Sequence, residues 1–197
     1  MSGSVNKTLI ADGVADILDF HFIPWGNAYY NTSECGTSSF DKTNGMYCWI
    51  KRCGKGTALT PDADCFVGKK MCQHGEAECE ADTLEACAVK LYPDFKQHMP
   101  FVYCFEGKGH SASSRAEDCA QESGLDYAQL QACAQGSLGA QLDAANAKAT
   151  ADFGSSRLGT PWLVVNGRAL EDPDTLLKSV CSAYTGKLPA GCSGHVE

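Results

Sequence analysis

The chain has 197 residues, of which 44% are hydrophobic and 20% charged, and its formal net charge is −8. This length suits one domain with a hydrophobic core, and we predict a single domain over residues 1–197. The negative charge and the lack of a large basic cluster argue against nucleic acid as a partner. The sequence has no apolar run near the roughly 20 residues of a membrane span. Its first residues do not resemble a secretory signal, so a secretory protein would need a targeting segment upstream.

The first predicted strand covers residues 17–23, where apolar and polar side chains alternate. Pro24 ends it. Residues 31–71 are rich in Gly, Ser, Thr, Asp and Lys and contain four cysteines. Because structureless loops longer than about 12–15 residues are uncommon in a compact domain, we predict an expanded loop held together by disulfides.

Helical patterns follow this loop. The first has four residues at helical spacing: Leu84, Cys87, Ala88 and Leu91. Residues 101–105 fit either a helix or a strand, and we favour a helix. Asp126 predicts the cap of a short helix that reaches Cys133 and ends at Gly136. Another helix is predicted from a second apolar series: Leu138, Leu142, Ala145 and Ala149.

Residues 160–170 predict a β-hairpin, because Asn-Gly at 166–167 is a preferred two-residue turn between apolar strands. Asp172 caps the last predicted helix, and Pro173 occupies its first position. A hairpin followed by a packed C-terminal helix is the second half of a thioredoxin fold. Pro161 lies where that fold has a cis-proline, so we expect a cis bond there.

The twelve cysteines favour disulfides and an oxidising compartment. Cys72 and Cys79 enclose His74, which raises the alternatives of a metal site, a redox pair or a disulfide. No second motif supplies the remaining zinc ligands, so we favour a disulfide and predict neither metal nor cofactor. We predict that every cysteine is structural: Cys35, Cys48, Cys53, Cys65, Cys72, Cys79, Cys87, Cys104, Cys119, Cys133, Cys181 and Cys192. Sequence proximity makes the last two plausible partners.

Several ordered motifs resemble the gamma-interferon-inducible lysosomal thiol reductase (GILT) family. Its signature matches Cys-Gln-His-Gly at 72–75, Glu-Cys at 78–79, and Cys87. Asp82 stands where the family has Asn. Further matches are residues 23–28, 132–150 and 161–172. Eight cysteines fall at family positions, which favours disulfides for them: Cys72, Cys79, Cys87, Cys104, Cys119, Cys133, Cys181 and Cys192.

This resemblance implies an α/β fold with a thioredoxin-like sheet and a helical insertion. It also implies reduction of protein disulfides at acid pH, in lysosomes or after secretion. The chemistry needs a Cys-x-x-Cys pair whose first thiolate is stabilised by a helix N-terminus. This sequence contains no such pair, and the family's first strand is not found in it either. The strand at 17–23 would therefore pair with upstream residues, with a partner's strand or within a rearranged sheet.

Two functions from different classes remain. The first is a non-catalytic accessory or structural subunit in an oxidising lumen. The second is a thiol–disulfide oxidoreductase whose Cys-x-x-Cys segment lies outside this sequence. The resemblance implies a lysosomal or secreted location, and a photosynthetic source would add the thylakoid lumen. Asn6 and Asn31 begin Asn-x-Ser/Thr sequences and are candidate glycosylation sites.

We predict a protein partner or a larger assembly, with two contact regions. The first is the backbone edge at residues Thr160, Pro161 and Trp162. The second combines loop aromatics and cations of the types enriched at interfaces: Tyr47, Trp49, Lys51 and Arg52. The alternative is that this loop only covers its own domain. Gln73 and His74 are interpreted as turn residues that bond the backbone, with a catalytic role as the alternative.

Overall fold

The computed structural model describes residues 3–56, 62–107, 113–154 and 159–195. These residues form a helix-rich structure with small sheets and six disulfides. The chain divides into two compact units, Met1–His21 with Gly159–Glu197, and Phe22–Leu158. We call these the terminal unit and the central unit. The single-domain assignment over residues 1–197 stays a prediction.

The elements follow in chain order. The α-helices of the described residues are α1 (Gly3–Leu9), α2 (Cys48–Cys53), α3 (Glu76–Leu91), α4 (Phe95–Gly107), α5 (Ser113–Glu122), α6 (Tyr127–Gln135), α7 (Ser137–Ala151) and α8 (Leu176–Ala183). The strands are β1 (Ala28–Tyr30), β2 (Lys70–Cys72), β3 (Val164–Val165) and β4 (Arg168–Ala169). Short 3-10 helices cover Val14–Ile17, Pro173–Thr175 and Ala190–Cys192, and a π-helical segment covers Lys42–Tyr47. Among the described residues, no helix combines the length and the apolar character needed to cross a bilayer.

The strands form two separate antiparallel pairs. In the central unit β1 pairs with β2, so that Ala28 lies opposite Cys72 and Tyr30 opposite Lys70. In the terminal unit β3 pairs with β4 through a turn in which Asn166 and Gly167 both have positive φ. The predicted hairpin is therefore confirmed, and the predicted cis bond before Pro161 is present.

The predicted strand at residues 17–23 is wrong. Val14–Ile17 is a 3-10 helix, and residues 18–26 contain no strand. Alternation of apolar and polar side chains describes only which way side chains point. A strand also needs a neighbour for its backbone hydrogen bonds. Here β2, from the far end of the long loop, pairs with residues 28–30 instead.

The described residues between 31 and 71 contain more regular structure than the predicted loop, namely the π-helical segment Lys42–Tyr47, α2 and the start of β2. The predicted disulfides are present in this segment. Cys35–Cys48 and Cys53–Cys65 attach α2 to the chain on both sides. The Trp49 ring stacks on Trp25 at a centroid distance of 6.1 Å. Its indole N–H donates a hydrogen bond to the carbonyl of Cys65 at 2.8 Å. Trp49 is fully buried, which corrects its assignment as a partner-contact residue.

Disulfides also fasten the helices. In the central unit α3 contacts α4, α6 and α7. Cys87–Cys133 joins α3 to α6, and Cys104–Cys119 joins α4 to α5. In the terminal unit α8 contacts α1 and β3, and Cys181–Cys192 links it to the last 3-10 helix. This last pairing agrees with the one expected from sequence proximity.

We predict that Gly45→Ala destabilises the protein. A Cβ at this position would lie 2.8 Å from Cε2 of the fully buried Tyr29, whose hydroxyl is hydrogen-bonded to Thr37 at 2.5 Å. Overpacking of this kind typically costs about 1–3 kcal/mol. Urea denaturation measures the effect. Gly107→Ala is the control, because its Cβ would meet no described atom within 4 Å; equal stability of the two variants would contradict the prediction.

Candidate functional site

The site begins at the turn between β2 and α3, which carries the Cys-Gln-His-Gly sequence. The Cys72–Cys79 disulfide joins the end of β2 to the first turn of α3. Gly75 sits between them with a φ of +92°, a conformation that side chains rarely adopt. Its N–H donates to the Cys72 carbonyl at 3.1 Å, and the Cys79 N–H donates to the Gly75 carbonyl at 3.3 Å. The turn is thus closed by hydrogen bonds as well as by the disulfide.

Gln73 and His74 fix the outer part of this turn. Asn27 donates from its side-chain amide to Gln73 Oε1 at 2.8 Å, and the Gln73 N–H donates to the Asn27 carbonyl at 3.2 Å. The Glu78 carboxylate accepts from the His74 N–H at 2.6 Å and lies 3.0 Å from His74 Nδ1. Both residues are turn residues, but their side-chain partners are other side chains and not the backbone groups that we expected.

A buried ion cluster lies behind the turn. Lys70 Nζ is 3.1 Å from Asp82 Oδ2 and 3.4 Å from Asp143 Oδ1, and all three side chains are at most 12% exposed. The ammonium group also lies 4.5 Å from the centroid of the Trp25 ring, a cation–π contact. Thr83 donates to Asp143 Oδ2 at 2.8 Å. The cluster therefore connects β2, α3 and α7.

This cluster contains more carboxylates than cations. Glu78, Asp82 and Glu85 are all buried on one face of α3. Burial raises the pKa of Asp82 to about 6. Lys70 opposes this rise, and the Glu78 and Asp143 carboxylates add to it. Burial raises the pKa of Glu85 well above its usual range, with a further contribution from the nearby Glu106 carboxylate. Asp82 and Glu85 thus retain their protons to a higher pH than exposed carboxyl groups do.

A groove of about 660 Å³ runs along the outer side of this turn. Its lining mixes apolar, amide and charged residues: Ser39, Phe40, Lys69, Lys70, Met71, Cys72, Gly75, Glu76, Cys79, Glu80, Thr83, Leu84, Tyr127, Gln131, Ala134, Gln135 and Asp143. Cys79 is partly exposed there, whereas Cys72 is only 4% exposed. The groove therefore gives a ligand access to one side of the disulfide.

The predicted contact residues do not line this groove. Thr160 and Pro161 are exposed and Trp162 is half-buried, all in the terminal unit. In the central unit Tyr47 is half-buried, and Arg52 forms ion pairs with two carboxylates, those of Glu34 at 3.2 Å and Asp62 at 3.4 Å. Asn6 is exposed, while Asn31 Oδ1 accepts a hydrogen bond from the Thr37 N–H at 2.7 Å.

The sequence did not reveal the ion cluster. In the sequence Lys70 is only the second of two adjacent lysines, and Asp82 is only a departure from a family motif. Their meeting depends on three separate elements, so no fixed spacing could identify it. In the described part of the chain, no group of three or more His, Cys, Asp or Glu side chains could hold a metal ion.

Fold and site together define a helix-rich protein with small sheets, stabilised by disulfides. Residues 53–123 match the family model described as "Gamma interferon inducible lysosomal thiol reductase (GILT)". This match supports the GILT family for the chain.

Relatives of the chain carry matching names. It is 36% identical over 132 residues to "Gamma-interferon-responsive lysosomal thiol protein" of Arabidopsis thaliana, covering 64% of this chain and 54% of that protein. It is 32% identical over 131 residues to "Gamma-interferon-inducible lysosomal thiol reductase" of Mus musculus, covering 64% and 51%. The protein of that name in Carassius auratus is 25% identical over 186 residues, covering 91% and 61%. The chain thus spans about half the length of the curated relatives it matches.

We predict that Lys70→Met strongly destabilises the protein at neutral pH. The change leaves two buried carboxylates, Asp82 and Asp143, without their cation, and breaking a buried ion pair costs about 3–5 kcal/mol. Urea denaturation at pH 7 measures the loss. Lys69→Met is the matched control because Lys69 is exposed. A Lys70→Met protein as stable as this control would contradict the role of the cluster.

We predict that Asp82→Asn flattens the pH dependence of stability. The folded-state pKa of Asp82, about 6, is above its ordinary value of 3.8, so the folded state binds its proton more tightly. The resulting stability is fully present below the ordinary pKa and is lost as pH rises through 6, by on the order of 3 kcal/mol.

The measurement is the free energy of unfolding of both proteins from pH 4 to pH 8. The wild type should lose more stability than Asp82→Asn over this range. Asp118→Asn, a change at an exposed residue, should follow the wild-type curve. Parallel curves for wild type and Asp82→Asn would show that Asp82 does not titrate as proposed.

Proposed function

We propose that this chain is a non-catalytic accessory or structural subunit of the GILT family. The observation that supports this is the state of its cysteines: all twelve are paired, and none is free. Thiol–disulfide exchange begins with a thiolate, and reduction of a substrate also needs a second thiol to resolve the mixed disulfide. The chain has no Cys-x-x-Cys pair to supply them.

The proposal includes a single thioredoxin-like domain with a helical insertion. Family membership supports this fold, as do the terminal hairpin of β3 and β4 and the helix α8 that contacts it. Together these elements have the order of the second half of a thioredoxin fold. We also propose that the segment at residues 31–71 is an expanded loop, and the two disulfides that lie within it support this.

Six disulfides fit an oxidising lumenal or secreted location. The names of the relatives in mouse and goldfish favour a lysosome within that range. No observation favours a thylakoid lumen. In this setting the exposed Asn6 is the better-placed glycosylation candidate, because the Asn31 side chain is already hydrogen-bonded.

We further propose a protein partner for this subunit. The exposed Thr160 and Pro161, with the half-buried Trp162, offer a backbone edge in the terminal unit. Tyr47, Lys51 and Arg52 are the remaining contact candidates in the central unit, since Trp49 is buried. Aromatic and arginine side chains are enriched in the cores of protein interfaces.

The second candidate function is a thiol–disulfide oxidoreductase whose reactive pair lies outside these 197 residues. Relatives named thiol reductases favour it, together with the fact that the chain covers only 51% of the mouse protein and 61% of the goldfish protein. In that case the chain supplies the scaffold and the groove, and another segment supplies the dithiol.

We predict that the chain alone does not catalyse disulfide reduction. The assay follows reduction of a denatured disulfide-bonded protein at pH 5 and at pH 7, with a monothiol as the electron source. Rates should equal those without the chain, and prior alkylation of the chain should not change them. Turnover that is lost on alkylation would overturn the accessory function and show that a pair within the chain is catalytic.

A further inference from the structure

We propose that Cys72–Cys79 is a redox-exchangeable disulfide that an external dithiol opens while the fold persists. The other five disulfides remain closed under the same conditions. This inference goes beyond the accessory function, because accepting two electrons from a dithiol does not require turnover on a protein substrate.

Access distinguishes this disulfide from the others. Three disulfides join two buried residues each: Cys53–Cys65, Cys87–Cys133 and Cys181–Cys192. The remaining three each have one partly exposed member, namely Cys48, Cys79 or Cys104. Of these, only Cys79 lines the groove of about 660 Å³. A thiol on an extended chain can therefore reach this sulfur along a formed surface.

Local charge disfavours attack at Cys104. Its Sγ lies 3.3 Å from Glu122 Oε2, and a carboxylate this close repels an incoming thiolate. The groove at Cys79 has both acidic and basic side chains in its lining, namely Glu76, Glu80 and Asp143 with Lys69 and Lys70. Cys79 also belongs to the first turn of α3, a helix of 16 residues. The positive end of a helix stabilises a nearby thiolate, whether attacking or leaving.

The turn can keep its shape when the disulfide is open. Hydrogen bonds hold the segment from Cys72 to Cys79 independently of the sulfur–sulfur bond. They involve the Asn27–Gln73 pair, the His74–Glu78 pair and the Gly75 backbone. Both thiols would stay close together, so the pair can close again when the dithiol is removed.

The size of the loop also favours opening at this point. Cys72 and Cys79 are separated by 7 residues, whereas the separations of the other pairs range from 11 to 46. In the chain-entropy model a disulfide stabilises less when it closes a shorter loop. Opening this one therefore removes the least constraint from the unfolded chain.

The proposed exchange balances as follows. A thiolate of the external dithiol attacks Cys79 Sγ, the bond to Cys72 Sγ breaks, and Cys72 leaves as a thiolate that takes up a proton. The second thiol of the reagent then attacks the mixed disulfide and releases Cys79 as a thiol. The reagent ends as a disulfide, and the protein has gained two electrons and two protons.

The experiment equilibrates the folded, oxidised chain in mixtures of reduced and oxidised dithiothreitol at pH 7. Free thiols are trapped by an acid quench followed by N-ethylmaleimide and located by peptide mass spectrometry, while circular dichroism reports the fold. We expect the first two labels on Cys72 and Cys79, at a ratio of reduced to oxidised reagent at least tenfold lower than the next pair requires. The helical signal should not change, and added oxidised reagent should remove the labels.

Matched variants complete the test. Cys72→Ser/Cys79→Ser should fold and lose the first labelling step, whereas Cys104→Ser/Cys119→Ser should retain it. First labelling at another pair, or opening of Cys72–Cys79 only together with unfolding, would overturn the proposal. Failure of the first variant to fold would also overturn it, because folding would then require the Cys72–Cys79 disulfide. Labelling and turnover are separate readouts, so this inference and the accessory function can fail independently.

Discussion

The Lys70 ammonium group is the contact on which the centre of the structure depends. It belongs to the short strand β2 and pairs with Asp82 on α3 and Asp143 on α7. Its other neighbour is the ring of Trp25, which is stacked on Trp49 in the aromatic core. One cation therefore fixes a strand, two helices and the core relative to one another. Because the ammonium group is buried, solvent does not screen its attraction to the two carboxylates, and its loss would leave them buried without a cation.

This arrangement couples the centre of the fold to pH. Burial raises the pKa of Asp82 to about 6, and the neighbouring Glu78 and Asp143 carboxylates add to this rise while Lys70 opposes it. A buried carboxyl group that keeps its proton no longer carries the cost of an unpaired charge. The buried charges of this cluster are therefore better balanced in a mildly acidic compartment than at neutral pH. This suits a lysosome among the proposed lumenal and secreted locations.

The turn from Cys72 to Cys79 adjoins both this cluster and the groove, and three cluster residues, Lys70, Thr83 and Asp143, line the groove as well. The Glu78 carboxylate holds the turn by accepting a hydrogen bond from the His74 N–H. Buried disulfides act as structural cross-links, whereas a disulfide at a groove is accessible to external thiols. A chain without a Cys-x-x-Cys pair can thus still respond to the thiol poise of its surroundings.

The sequence by itself determined the features that depend on neighbouring residues. The Asn-Gly turn at 166–167 and the helix cap at Asp126 are set by local backbone preferences, and both are present. Cysteine number likewise indicated disulfides, because an even dozen thiols is unusual outside oxidising compartments. The ordered motifs were sufficient to point to the GILT family, which the comparisons support.

Only the tertiary structure decided which distant segments meet. The alternation at 17–23 matches a strand, but β2 pairs with Ala28–Tyr30, and a ladder forms only where a partner is available. Trp49 is of a residue type that is enriched at interfaces, but it lies in the core. Residue type alone does not determine whether a side chain faces a partner or the interior. Lys70 and Asp143 are 73 residues apart. No local pattern encodes their contact, because it arises from the packing of β2 against α3 and α7.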